Sequence, residues 1–158
     1  MNRFGALTVI LALAAIPAWG AEAPPKEKFI GAWRLIDVRE RDAETGAEKP
    51  ATPGGAGGQL IYTANGRLSL QIARVGWDKA PAGDPANFAS YFGRWELVTA
   101  EGYVLHQQDG NLNPKQVGQA AKRYYSFDAQ GHLSLATPPA KNAEGRNVAT
   151  VFVWERYP

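Results

Sequence analysis

Cysteine is absent from the 158-residue chain. That removes disulfide staples, thiolate nucleophiles, cysteine-ligated zinc and iron–sulfur clusters, and leaves the fold to stand on its apolar core. Histidine is nearly absent as well: His106 and His132 are the two. A transition-metal site would have to be assembled from carboxylates, and only Asp109 lies close to His106 in sequence, so neither a metal nor another cofactor is expected. The hydrolase elbow Gly-x-Ser-x-Gly and the helix motif His-Glu-x-x-His are missing. The run Gly54-Gly55-Ala56-Gly57-Gly58 lacks the lysine and the following helix of a phosphate cradle and reads as a flexible loop. Charge of one sign is lacking too. With 17 basic and 15 acidic residues dispersed along the chain and a net charge of +2, no nucleic-acid partner is expected.

Long apolar runs are lacking with one exception. Arg3 precedes an uncharged apolar run over residues 6–16, and Ala18-Trp19-Gly20 sets small residues at the −3 and −1 positions of a cleavage site before Ala21. This grading predicts a secretory signal peptide over residues 1–20 and a periplasmic or extracellular destination. The run ends at Pro17, short of the roughly 20 residues that a membrane-spanning helix needs, so no membrane span is expected. Residues 21–28 then read as a linker and 29–158 as one domain.

What remains is abundant in turn formers, with 17 glycines and 11 prolines, and shows no sustained helical period. Short β-rich runs cover residues 32–39, 59–63, 67–72, 93–99, 103–108, 122–127, 132–136 and 148–156. The first places Trp33, Leu35 and Asp37 on one face and Ile36 and Val38 on the other. Residues 42–58 read as a long mobile loop. Asn65-Gly66 marks a hairpin because glycine adopts positive φ without cost. Asp84-Pro85 reads as the start of a short helix reaching about Ser90. Eight strands in up-and-down order predict an all-β, small closed antiparallel barrel with one short helix, the alternative being a β-sandwich.

Gly31-Ala32-Trp33 at the first strand and Trp154-Glu155-Arg156 at the last resemble the two ends of a lipocalin-like domain, a calycin-type family of eight-stranded barrels. Between them, the hairpin from Tyr62 to Ile72, Tyr91-Phe92-Gly93-Arg94-Trp95, and His106 followed by Leu112-Asn113-Pro114 and Val117-Gly118 are similar to the family's internal signatures in the same order. The resemblance spans residues 31–156. Gln107 departs from it, standing where a second histidine is often found. The resemblance implies a barrel that holds one small, mostly apolar ligand, and it implies no reaction.

Within such a barrel, Trp33 is expected to plug the closed end with Arg156 across its ring, both as structural residues. Gln71, Tyr91, His106, Arg123 and Tyr125 are the candidate ligand-binding residues, although strand parity leaves open which of them face inward. Should the protein be an enzyme, a cyclase or isomerase, His106 and Tyr91 are the candidates for moving a proton. Lys115, Lys122 and Arg123 can favour an anionic head group, and His132 is expected on the surface beside Gly131. A third reading is an interaction protein that uses the loops at the open end.

Overall fold

The computed structural model describes residues 24–51, 55–79 and 88–158. The expected signal peptide and the first linker residues, 21–23, lie outside them. Ten antiparallel strands form one sheet: β1 (Gly31–Asp42), β2 (Glu48–Pro50), β3 (Ala56–Tyr62), β4 (Arg67–Arg74), β5 (Phe88–Val98), β6 (Tyr103–Asn111), β7 (Ala120–Phe127), β8 (Leu133–Ala136), β9 (Ala140–Lys141) and β10 (Asn147–Arg156). Their order is β2-β1-β3-β4-β5-β6-β7-β8-β10-β9, and β1 also pairs with β10, which closes eight strands into a barrel and leaves β2 and β9 as short appendages. Closure satisfies both edges of the sheet, the problem an open sheet of this length would face. The β-sandwich alternative is thereby set aside. The described residues contain only short 3-10 turns as helix, and no helix long and apolar enough to cross a membrane.

Alternation of burial along the strands puts one apolar row from each into the interior. Leu68, Leu70 and Ile72 of β4 point in, as do Tyr91 and Trp95 of β5, and Leu133 and Leu135 of β8. Before β1, the turn over Lys26–Lys28 delivers Phe29 into the barrel end, where it is fully buried. The residues of this turn are not buried, and the core begins at Phe29, the first residue of the expected domain.

Four local expectations are corrected. On β1, Leu35 lies opposite Trp154 and Asp37 opposite Val153, so Ile36 is an inserted residue. This bulge reverses the parity beyond it: Asp37 leaves the face of Trp33 and Leu35 and pairs with Arg39 at 2.7 Å, while Val38 packs on the core. The stretch 42–58 carries structure. Asp42 Oδ1 accepts from the backbone N–H groups of Glu44 and Thr45, and Glu48 on β2 bridges Arg39 and Arg41 of β1. Ala56–Gly58 lengthens β3 against β4. The predicted helix cannot reach Ser90, because Phe88, Ala89 and Ser90 are strand paired with Ala73, Ile72 and Gln71; Asp84 to Asn87 lie outside the described residues. His132, expected on the surface, is partly buried and bonded through Nδ1 to Asp128 Oδ2 at 2.8 Å.

Candidate functional site

One end of the barrel is solid. Trp33 donates from Nε1 to Phe29 O at 2.8 Å, and the Arg156 guanidinium lies 4.3 Å from its ring centroid. Arg156 also donates to the carbonyls of Lys28, at 2.7 Å, and Ile30. Around this pair, Phe29 meets Tyr125 and Phe127 edge-on at 5.0 and 5.2 Å and Trp95 at 6.2 Å. Tyr125 therefore faces inward but belongs to this aromatic floor.

Above the floor lies a cavity of about 100 Å3 bounded by Leu70, Ile72, Ala89, Tyr91, His106, Arg123, Leu135, Phe152 and Trp154. It is deep at His106, Leu135 and Trp154, each at most 1% exposed, and it opens at Ala89, which is exposed. Tyr91 on β5, His106 on β6 and Arg123 on β7 come together here from three successive strands. Gln71 does not join them. It alternates with the inward Leu70 and Ile72, so it stands on the outer face, where it bonds Ser69 Oγ at 2.8 Å and Gln59. Of the three basic candidates, Arg123 alone lines the cavity. Lys122 sits over the Tyr103 ring at 4.3 Å beside Glu101, and Lys115 is exposed.

His106 is completely buried between two tyrosines. Tyr91 Oη lies 2.8 Å from Nδ1, and Tyr62 Oη contacts Nε2. Burial, with the Arg123 charge as a smaller cause, pushes its pKa down to about 3, so the ring is neutral at ordinary pH. A neutral imidazole offers one donor and one acceptor. Tyr62 is fully buried and its hydroxyl has no other partner among the described residues, so its proton is satisfied only by donation to Nε2. Nδ1–H then donates to Tyr91 Oη, and the Tyr91 hydroxyl proton is left to point elsewhere. Burial raises the pKa of both tyrosines, and the positive charge of the Arg123 guanidinium offsets part of that rise for Tyr91. Both hydroxyls therefore stay protonated.

Three buried polar or part-polar side chains near the site are invisible to motif reading. Tyr62 holds the far side of His106. Gln108, 4% exposed, lies two residues beyond His106 on the same face of β6 and accepts from Asn111 Nδ2. Trp154 lines the cavity while its buried indole N–H has no acceptor among the described residues. The parity of His106 and Val104 would have pointed to Gln108, and that of Leu60 to Tyr62; nothing in the sequence announces an unpaired indole. Gln107, in contrast, turns outward and donates to Gly118 O at 2.9 Å.

A search of curated proteins returned no match. A model of the lipocalin-like domain matches residues 30–157, a span that runs from the residue before β1 to the residue after β10. With the eight-strand closed barrel, this places the chain in the lipocalin-like domain family.

Proposed function

We propose that this protein binds a small, mostly apolar molecule in the barrel and does so outside the cytoplasm. The observation that supports binding is the cavity: its wall is apolar at Leu70, Ile72, Leu135 and Phe152, while a few polar groups gather at one side, the usual composition of a small-molecule site. About 100 Å3 is less than the roughly 300–1,000 Å3 of a drug-sized pocket. The deep part therefore takes a few heavy atoms, and a longer ligand continues out past Ala89. Binding is preferred over a cyclase or isomerase activity because His106 has both ring nitrogens engaged and a pKa of about 3, which makes it a poor base near neutrality.

A panel of compact apolar compounds tests the reading through thermal unfolding and tryptophan emission. Saturable stabilisation, growing with ligand concentration above Kd, is the expected result. A panel that leaves both signals flat would sink it. Export rests on Arg3, the apolar run and Ala18-Trp19-Gly20. N-terminal sequencing of the protein from its own host should read Ala21 first in an extracytoplasmic fraction, and an intact Met1 form in the cytoplasm contradicts it.

A further inference from the structure

The polar lining of the cavity has a direction. Trp154 and Arg123 carry donors and no acceptor. The two acceptor-capable side chains, His106 and Tyr91, spend that capacity on each other and on Tyr62: Nε2 receives the Tyr62 proton, and Tyr91 Oη receives Nδ1–H. The polar residues of the lining thus carry donors to spare: the Tyr91 hydroxyl proton, the Arg123 guanidinium and the Trp154 indole N–H, which is buried without an acceptor among the described residues. No carboxylate among the described residues is paired with Arg123, and its side chain donates to the Lys122 carbonyl at 2.8 Å. A buried N–H without a partner keeps the full cost of its lost hydration, so the unpaired Trp154 donor marks a place where an acceptor is wanted.

We propose that the ligand is a small apolar carboxylate that enters with its charged end first and places its oxygens among Trp154, Tyr91 and Arg123. This rests on the binding reading above and specifies its ligand class. A carboxylate accepts from all three without bringing a proton of its own, as a ketone or ester carbonyl also would, and its bond to a guanidinium is of the stronger, charge-assisted kind that favours it over a neutral carbonyl. An alcohol or an amine would add a donor that finds no acceptor. A trapped water meets the same difficulty, since it can accept from Trp154 and Tyr91 but both its protons remain unpaired. The deep cavity has room for the head group and the first carbons, and Ile72, Phe152 and Ala89 lead the apolar tail outward.

Hexanoate, hexanol and hexylamine share one tail and differ in the head group, and calorimetry at neutral pH separates them. Hexanoate should bind about tenfold or more tighter than hexanol, a difference of at least about 1.4 kcal/mol, and hexylamine should not bind. Arg123→Gln should weaken hexanoate about tenfold or more and leave hexanol within about twofold. Tyr91→Phe, which keeps the ring, should act in the same direction. In 1H–15N spectra the Trp154 indole proton, assigned with Trp154→Phe, should move downfield on addition of hexanoate. Equal affinity for hexanoate and hexanol, unchanged by Arg123→Gln, would overturn the carboxylate while leaving a binder. Tighter binding of hexylamine would do the same. If none of the three binds and the compact apolar panel is also silent, the binding reading fails and this inference with it.

Discussion

Whether His106 carries a proton is decided by its burial, and the consequence for stability has a definite sign. Its pKa is about 3 in the folded protein and about 6.5 when unfolded. Between those values the unfolded chain binds one proton more than the native one, so stability falls as pH drops, by about 1.4 kcal/mol per unit. Above the unfolded value this contribution is complete. Urea titrations of the wild type and of His106→Gln should therefore diverge in slope below about pH 6.5; parallel curves would mean that His106 is not held neutral. Tyr62→Phe strips Nε2 of its donor, and the expected cost is about 1–3 kcal/mol, read from the urea midpoint. Nitrogen NMR should find Nδ1 protonated and Nε2 unprotonated. At this scale the sequence was half legible. His106, Tyr91 and Arg123 are polar residues on apolar strands, an anomaly that shows in a string of letters, and they do meet. Gln71 is the same kind of anomaly but points outward, because inward and outward polar positions differ by one step of register. Tyr62 and Trp154 look like ordinary core aromatics, and their polar ends gain meaning only from their neighbours in space.

Among the elements, β1 and β6 show how single insertions steer a barrel. Ile36 bulges from β1, and Asp109 bulges from β6 opposite Phe92 and Gly93. At the second bulge Asp109 meets Arg67 at 3.1 Å and Arg94 at 3.6 Å on the outer wall, and a Cβ on Gly93 would overlap the Gln107 carbonyl oxygen. Gly93→Ala should therefore cost about 1–3 kcal/mol, the range for overpacking, measured against wild type in urea. The hairpin between β3 and β4 turns through Thr63 to Gly66 with Gly66 at φ 80°, and Thr63 O accepts from Trp95 Nε1 at 3.0 Å. Alternation and Asn-Gly chemistry made β3, β4 and their turn readable from sequence. The bulge in β1 was not, because an inserted residue leaves composition and propensity untouched and shifts only the phase. The floor offers a sharper measurement. Trp33 is 1% exposed, so Trp33→Ala should cost about 3–5 kcal/mol, and Arg156→Ala should cost less, since that side chain is exposed. A change within about 0.5 kcal/mol for Trp33→Ala is a surface effect and would contradict its role as the plug.

For the whole molecule, closure is the controlling feature: residues 33–42 lie against 148–156, the beginning of the domain against its end. The Tyr157 N–H donates to Ala32 O at 3.0 Å and Arg156 reaches Lys28 and Ile30, so the two ends of the domain run side by side at the plugged floor. Eight strands and their up-and-down order were legible because turn residues punctuate them, and closure followed from the strand count and the resemblance at the two ends; the register of the closing pair was not legible, since no local signal links residues so far apart. Its consequence is kinetic. A barrel whose longest seam joins its two ends must search for that seam last, and non-local pairing of this kind places folding in the range of milliseconds to seconds. Joining the C-terminus to Pro24 through a short linker and opening the exposed turn at Asp128-Ala129-Gln130-Gly131 would make the seam a local hairpin. The remote pairing left to be found would then be the short one between residues 124–127 and 133–136. Such a rearranged chain should refold faster in stopped-flow experiments while unfolding at a similar rate, and an unchanged refolding rate would show that the seam forms after the slow step has passed.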